Sequence, residues 1–151
     1  MRSFITSEAI SPHDELHRFA TQRNEETGAL ASFVGYCRGH AANGAIERIE
    51  LEYYPGFTEA EIERLAQAVM SRHNLLDLLV IHRVGAIAAN EPIVLVAALS
   101  PHRVAAFAAV SEMMDYLKTD APMWKREVGA QGVRWIEPTA EDHARREEHT
   151  K

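Results

Sequence analysis

A chain of 151 residues that is 46% apolar and 25% charged has the make-up of one soluble globular domain, which excludes a disordered or fibrous protein. Its formal charge of −6 argues against a general nucleic-acid binder, because counterion release needs clustered Lys and Arg facing the phosphates. No apolar run reaches the roughly eighteen residues of a membrane span, and MRSFITSEAISPHDE lacks a secretory leader's apolar stretch, so the expected setting is the cytoplasm.

In chain order, residues 2–6 (RSFIT) read as a short strand. Ser11 as N-cap, Pro12 at the first helical position and Asp14 three residues after the cap open a first helix, with Leu16, Phe19 and Ala20 turned to the core. GALASFVGY, 28–36, reads as a strand, and CRGHAANGA after it as a loop. IERIELEYY alternates, with Ile49, Leu51 and Tyr53 on one face and Arg48, Glu50 and Glu52 on the other, as in a half-buried strand. Thr58 and Glu61 form a capping-box pattern ahead of the stripe Ile62, Leu65, Ala66 and Val69, which predicts a second helix over 58–72.

LLDLLVIHRV and PIVLVAAL read as two strands around a loop, and the unbroken apolarity of the second predicts a central strand covered on both faces. Ser100 and Pro101 open a third helix, with Phe107, Val110, Met114 and Leu117 on its buried stripe and DAP at 120–122 as its stop. Residues 124–128, the turn GAQG and VRWIEP read as a hairpin. From Thr139 onward TAEDHARREEHTK has no apolar periodicity, which predicts a loose polar tail (139–151) behind a single domain (1–138). The order of elements gives an α+β class, with a mixed, largely antiparallel sheet and three main helices.

Arginine outnumbers lysine thirteen to three, and because Lys151 ends the chain the body holds only Lys118 and Lys125, both in YLKTDAPMWKRE. A primary amine can lose its proton when desolvated, which a guanidinium does not readily do, so these two mark candidate chemistry; two solvated lysines near a helix end are the alternative. Between His102 and Ile136 five basic residues face four acidic ones, making this third of an acidic chain the place to look for an anion site. His102 and Arg103 fall in the first turn of the third helix, where free N–H groups favour an anion; an Arg reaching into solvent is the alternative.

His13 and His17 stand four apart on the first helix, a spacing open to metal, but no third ligand accompanies them and a solvated face is the better reading. Cys37, the single cysteine, rules out an internal disulfide and a multi-cysteine zinc site; it reads as a small buried hydrophobe unless a neighbour such as Arg38 activates it. No metal or cofactor is expected, and sulfur chemistry would need Cys37 or an outside donor.

Taken together, FVGYCRGH, LEYYPGFTEAEI, VIHRVG, SPHRVAAF, MDYLKTDAPMWKRE and RWIEP resemble, in order and spacing, the large subunit of molybdopterin synthase from Gly28 to Glu137. The resemblance implies an α/β hammerhead-type fold and a homodimer of large subunits. It also implies a small ubiquitin-like subunit on each, giving a heterotetramer. That subunit's Gly-Gly thiocarboxylate would supply two sulfurs to cyclic pyranopterin monophosphate, forming the molybdopterin dithiolene.

Carried over by residue, the resemblance makes Lys118 and Lys125 catalytic and places both in the substrate pocket with Tyr36, Cys37, Arg38, His102, Arg103, Arg126 and Glu127. Met114 and Arg134 are further pocket candidates. Arg38, His102 and Arg103 would hold the phosphate. One departure stands out: the family commonly has G-K-V-R where this chain has G-Y-C-R, so Tyr36 removes a cation and Cys37 replaces a valine. That leaves a second reading, a non-catalytic docking module for a ubiquitin-like sulfur carrier, and a third, a metal-dependent hydrolase built on His13 and His17.

Overall fold

Strand β7 (Pro92–Ser100) is apolar along its length because helices cover both its faces. Val94, Val96 and Ala98 pack with Leu78, Val80, Ile62 and Val69 under helices α2 (Phe57–His73) and α3 (Arg103–Thr119). Leu95, Ala97 and Leu99 pack on the other side with Phe19 of α1 (Pro12–Ala20) and with Leu79 and Ile81 of β5 (Asp77–Arg83). The first sheet runs β1 (Arg2–Thr6), β5, β7, β2 (Ala29–Tyr36); β1 and β5 are parallel and the other pairs antiparallel. The computed structural model describes residues 1–42 and 44–150; Asn43, inside the expected loop, and Lys151 lie outside the described residues.

A second sheet was not separated from the first in the sequence. It runs β3 (His40–Ala41), β4 (Gly44–Tyr53), β8 (Met123–Gly129), β9 (Gly132–Ile136), and β6 (Gly85–Ala88) also pairs with β4. Ile49 and Leu51 face a core of their own with Cys37, Val84 and Ile87, as the alternation of IERIELEYY requires. Strands β3 and β6 lie in stretches expected to be loops; each is short and exists by pairing with β4 rather than by its own pattern. The class is α+β with antiparallel pairing dominant, and with four helices rather than three among the described residues.

Three local expectations change. Gly56, not Thr58, caps α2, and its N–H is taken by the Glu59 carboxylate at 3.0 Å. Thr58 is fully buried: its hydroxyl accepts from the Tyr54 N–H and donates to the Pro122 carbonyl, both at 2.9 Å. The buried stripe of α3 is Ala106, Ala109, Val110, Met113 and Leu117, because small alanines let the helix approach the sheet, and Phe107 is left 68% exposed.

The segment expected to be a loose tail contains helix α4 (Ala140–Glu148), started by a reciprocal cap in which Thr139 and Asp142 each accept the other's backbone N–H. Arg146 binds Asp120 at 2.8 Å and His149 lies 2.8 Å from Asp115, so charge pairing rather than apolar periodicity docks it on α3.

Replacing Thr58 with Val keeps the shape but strands two buried backbone groups between α2 and the segment leading into β8. Such a change costs about 1–3 kcal/mol, to be read as a lower urea midpoint with an unchanged slope; a midpoint equal to the parent's would remove this bridge from the fold's stability.

Candidate active site

Lys118 projects from the exposed side of the last turn of α3, one turn beyond half-buried Met114. Lys125 sits opposite Leu51 and Ile136 in the β4–β8–β9 ladder, so it shares their inward face while Trp124 and Arg126 take the outer one. A cavity of about 470 Å³ results, lined by Lys118, Lys125, Trp124, Trp135, Asp142 and His143. The two lysines singled out by their rarity therefore share one cleft.

Burial pushes the Lys125 amine below its ordinary pKa, and the Lys118 charge pushes it the same way, while Asp142 opposes both. His82, on β5, is only 2% exposed, and burial, then Lys125, lowers its pKa to about 4. Its Nδ1 lies 2.9 Å from the Arg83 carbonyl oxygen, so the neutral ring donates there and turns an unprotonated Nε2 to its surroundings. An uncharged imidazole thus lies within electrostatic reach of Lys125. The Asp142 carboxyl is held below the usual carboxylate range chiefly by the backbone N–H of Thr139, with Lys118 and Arg145 adding to the effect.

The remaining candidates divide between places. Arg38 is exposed in the loop after β2, which is pinned where the Cys37 N–H donates to the Glu91 carbonyl at 2.9 Å and the Asn90 N–H to the Cys37 carbonyl at 2.7 Å. Tyr36 is exposed at a bulge at the end of β2. Cys37 departs from the expectation of a pocket residue: it is 3% exposed in the core of the second sheet, and burial, with Glu127 and Glu91, raises its thiol pKa. That is an inert thiol rather than a sulfur carrier. Arg126 departs too, lying on the outer face, where its Nε donates to Glu50 at 2.7 Å and its guanidinium lies 5.7 Å from the Trp135 ring centre. Glu127 and Arg134 face each other across β8 and β9 at 3.5 Å, on the inner face but one step nearer the hairpin tip than Lys125.

His102 and Arg103 are exposed at the start of α3, as expected, but at the wrong end of the helix to meet the lysines of the same chain. From Arg103 to Lys118 the helix rises about 22 Å at 1.5 Å per residue. Strand β2 makes the same point, since Ala29 pairs with Ser100 beside His102 while Tyr36, next to Arg38, pairs with Pro92 at the far end. Arg38 and both lysines thus lie at one end of the chain's fold, and His102 and Arg103 at the other. On α1, His13 and His17 are solvent-facing, and among the described residues no group of three His, Cys, Asp or Glu could hold a metal ion.

Sequence reasoning missed His82, Asp142 and His143. The signal for His82 was a lone titratable residue inside the apolar run LLVIHRV; that for Asp142 was the T-x-x-D cap, hidden by reading the segment as a tail.

Comparison with known proteins adds to this geometry. The family model described as MoaE protein matches residues 5–120. A molybdopterin synthase catalytic subunit of Caulobacter vibrioides is 49% identical over 138 residues, 91% of this chain and 90% of that one. The solved molybdopterin biosynthesis MoaE protein of Burkholderia ambifaria superposes with a TM-score of 0.81 at 35% identity, covering 100% of both chains. At 18% identity and a TM-score of 0.71, over 90% of this chain and 89% of the other, the fold is shared with a chain of a Helicobacter pylori complex of subunits 1 and 2 of molybdopterin-converting factor.

The His82 shift has a pH consequence. With its folded pKa near 4 against the usual 6.5, the unfolded chain takes up this proton first as pH falls. The contribution is complete above pH 6.5 and is lost, on the order of 3 kcal/mol, as pH falls toward 4. A His82→Leu variant is expected to lose that part of the slope in denaturation midpoints measured between pH 7 and 4; an unaltered slope would assign it elsewhere.

Proposed function

The chain belongs to the MoaE protein family, and from that premise we propose how its residues carry out the sulfur transfer of a molybdopterin synthase catalytic subunit. The observation that carries the reading is the meeting of Lys118 and Lys125 in one cleft. A thiocarboxylate at the Gly-Gly end of a small ubiquitin-like subunit enters that cleft and gives up its sulfur to cyclic pyranopterin monophosphate. The sulfur bonds to a side-chain carbon of the pterin in place of an oxygen, water adds to the carbonyl carbon to give a tetrahedral centre bearing negative charge, and the bond from that carbon to sulfur then breaks, leaving the small subunit with an ordinary carboxylate. The Lys118 ammonium stabilises the charge, and Lys125, whose amine releases its proton more easily, orients the pterin and moves protons. A second round completes the dithiolene. Exposed Tyr54, Trp124 and Trp135 lie beside the cleft and offer the small subunit an aromatic seat. A Helicobacter pylori chain of this fold was solved in complex with a second subunit of molybdopterin-converting factor, which supports a small-subunit partner.

Phosphate binding needs two copies of the chain. Arg38 stands at the lysine end, and His102 and Arg103 reach a complete site only from a partner. Phe33, exposed on the edge strand β2, and Val104 and Phe107, exposed on the first turns of α3, form an apolar face suited to that homodimer. With a small subunit on each, the assembly is a heterotetramer. The reading places it in the cytoplasm; among the described residues no helix is long and apolar enough to cross a membrane.

The docking-module alternative has Tyr36 in its favour, exposed where the family commonly has a lysine, but the convergence of both amines favours chemistry.

The test is reconstitution from purified chain, a thiocarboxylated small subunit and the precursor. Lys118→Ala is expected to lower turnover about 10²-fold or more with the complex still assembled; near-parental turnover would remove Lys118 from the mechanism. Two inactive variants, Lys118→Ala and Arg103→Ala, should regain about a quarter of parental activity when mixed and reassociated, because half the dimers then hold one intact site. No recovery, with exchange of chains verified, would place the whole site within one chain.

A further inference from the structure

The cleft brings two primary amines together in a partly dry space, and like charges so placed oppose each other's ionisation. Something must offset that repulsion if both are to be present as cations when a negative centre forms. Within electrostatic reach of Lys125, β5 contributes His82, which is neutral, and the end of β9 leads into exposed Glu137 in the lining of the cleft. Helix α4 contributes His143, exposed, and Asp142, 8% exposed. Asp142 is therefore the buried anion of the cleft.

Its position is fixed by construction. One carboxylate oxygen accepts the Thr139 N–H at 2.9 Å and the other accepts Arg145 at 2.5 Å, while the Asp142 N–H donates to the Thr139 hydroxyl at 3.0 Å. The helix bearing it is clamped to α3 by Arg146 on Asp120 and by His149 and Arg145 on Asp115, both within one turn of Lys118. A residue needed only to cap α4 could stand anywhere that helix begins; this one begins at the wall of the cleft.

We propose that Asp142 is the counter-ion of the lysine pair, a positioning residue that acts through Lys125 and Lys118 and makes the C-terminal helix part of the active site. It rests on the sulfur-transfer reading only for the purpose the charge serves. The carboxylate favours the ammonium form of Lys125 against burial and against Lys118, in the direction the electrostatics of both groups require. The polar C-terminal segment thus has a chemical reason to fold back.

The chain has only three lysines, so a sample labelled with ¹³C at lysine Cε gives three signals, assigned with Lys118→Arg and Lys151→Arg variants and titrated without any assay of turnover. Asp142→Asn removes the charge but keeps an oxygen for the Thr139 N–H. Thr139→Val removes the hydroxyl from the same cap and keeps the carboxylate. The expected result is a Lys125 midpoint moved to lower pH by Asp142→Asn and unmoved by Thr139→Val. An unmoved midpoint in Asp142→Asn, or an equal displacement in both variants, overturns the proposal.

In the reconstituted enzyme the alkaline limb of the pH–activity profile should move in the same direction. If the midpoint moves while the profile stays, the counter-ion stands and the role given to the Lys125 charge falls.

Discussion

The register of β4 against β8 decides which side chains of the hairpin meet the cleft. Lys125 faces inward because it stands opposite Leu51 and Ile136, which the second core needs. A slip of one residue would turn Trp124 or Arg126 inward and send the amine to solvent, since successive side chains alternate. The register is held at the hairpin end, where a Cβ on Gly129 would lie 2.2 Å from the Ala45 carbonyl oxygen, so only glycine admits this approach. On the outer face, Arg48 and Arg126 both bind Glu50 and hold the same pairing from outside. The inward lysine is thus a consequence of strand packing on one side and charge pairing on the other.

The same economy applies where α4 meets the body. Glu112, 1% exposed, would be costly inside a helix interface without partners. It has several: Arg72, His73 at 2.5 Å, the Tyr116 hydroxyl at 3.1 Å and His149 at 3.8 Å. These groups come from α2, α3 and the end of α4, so one buried carboxylate joins three helices. Asp115 and Asp120 extend the joint along α3 toward Lys118. Acidic residues on one helix and basic ones on another therefore place the wall of the cleft, in a segment with almost no apolar surface to contribute.

Helix α3 separates two sets of candidate residues by its length. Its start carries His102 and Arg103 with the free N–H groups that suit an anion, and its end carries Lys118. Nothing within one chain brings those ends together, and the apolar residues left on β2 and on the first turns of α3 offer a second chain a place to do so.

The amino-acid sequence by itself determined the types of most elements, the doubly covered strand β7 and the two rare amines that share the cleft, because periodicity, caps and the scarcity of lysine are local properties. It could also mark His102 and Arg103 as a helix N-terminus. The division into two sheets, the outward turn of Arg126, the burial of Cys37 and the phase of α3 came only with the tertiary structure. Each depends on which face a neighbour covers, and alanines at 106 and 109 can outweigh a phenylalanine at 107 when close approach is at stake. The C-terminal helix and Asp142 were hidden for the same reason. Their folding rests on ion pairs with residues far away in the chain, and such pairs leave no period in the sequence.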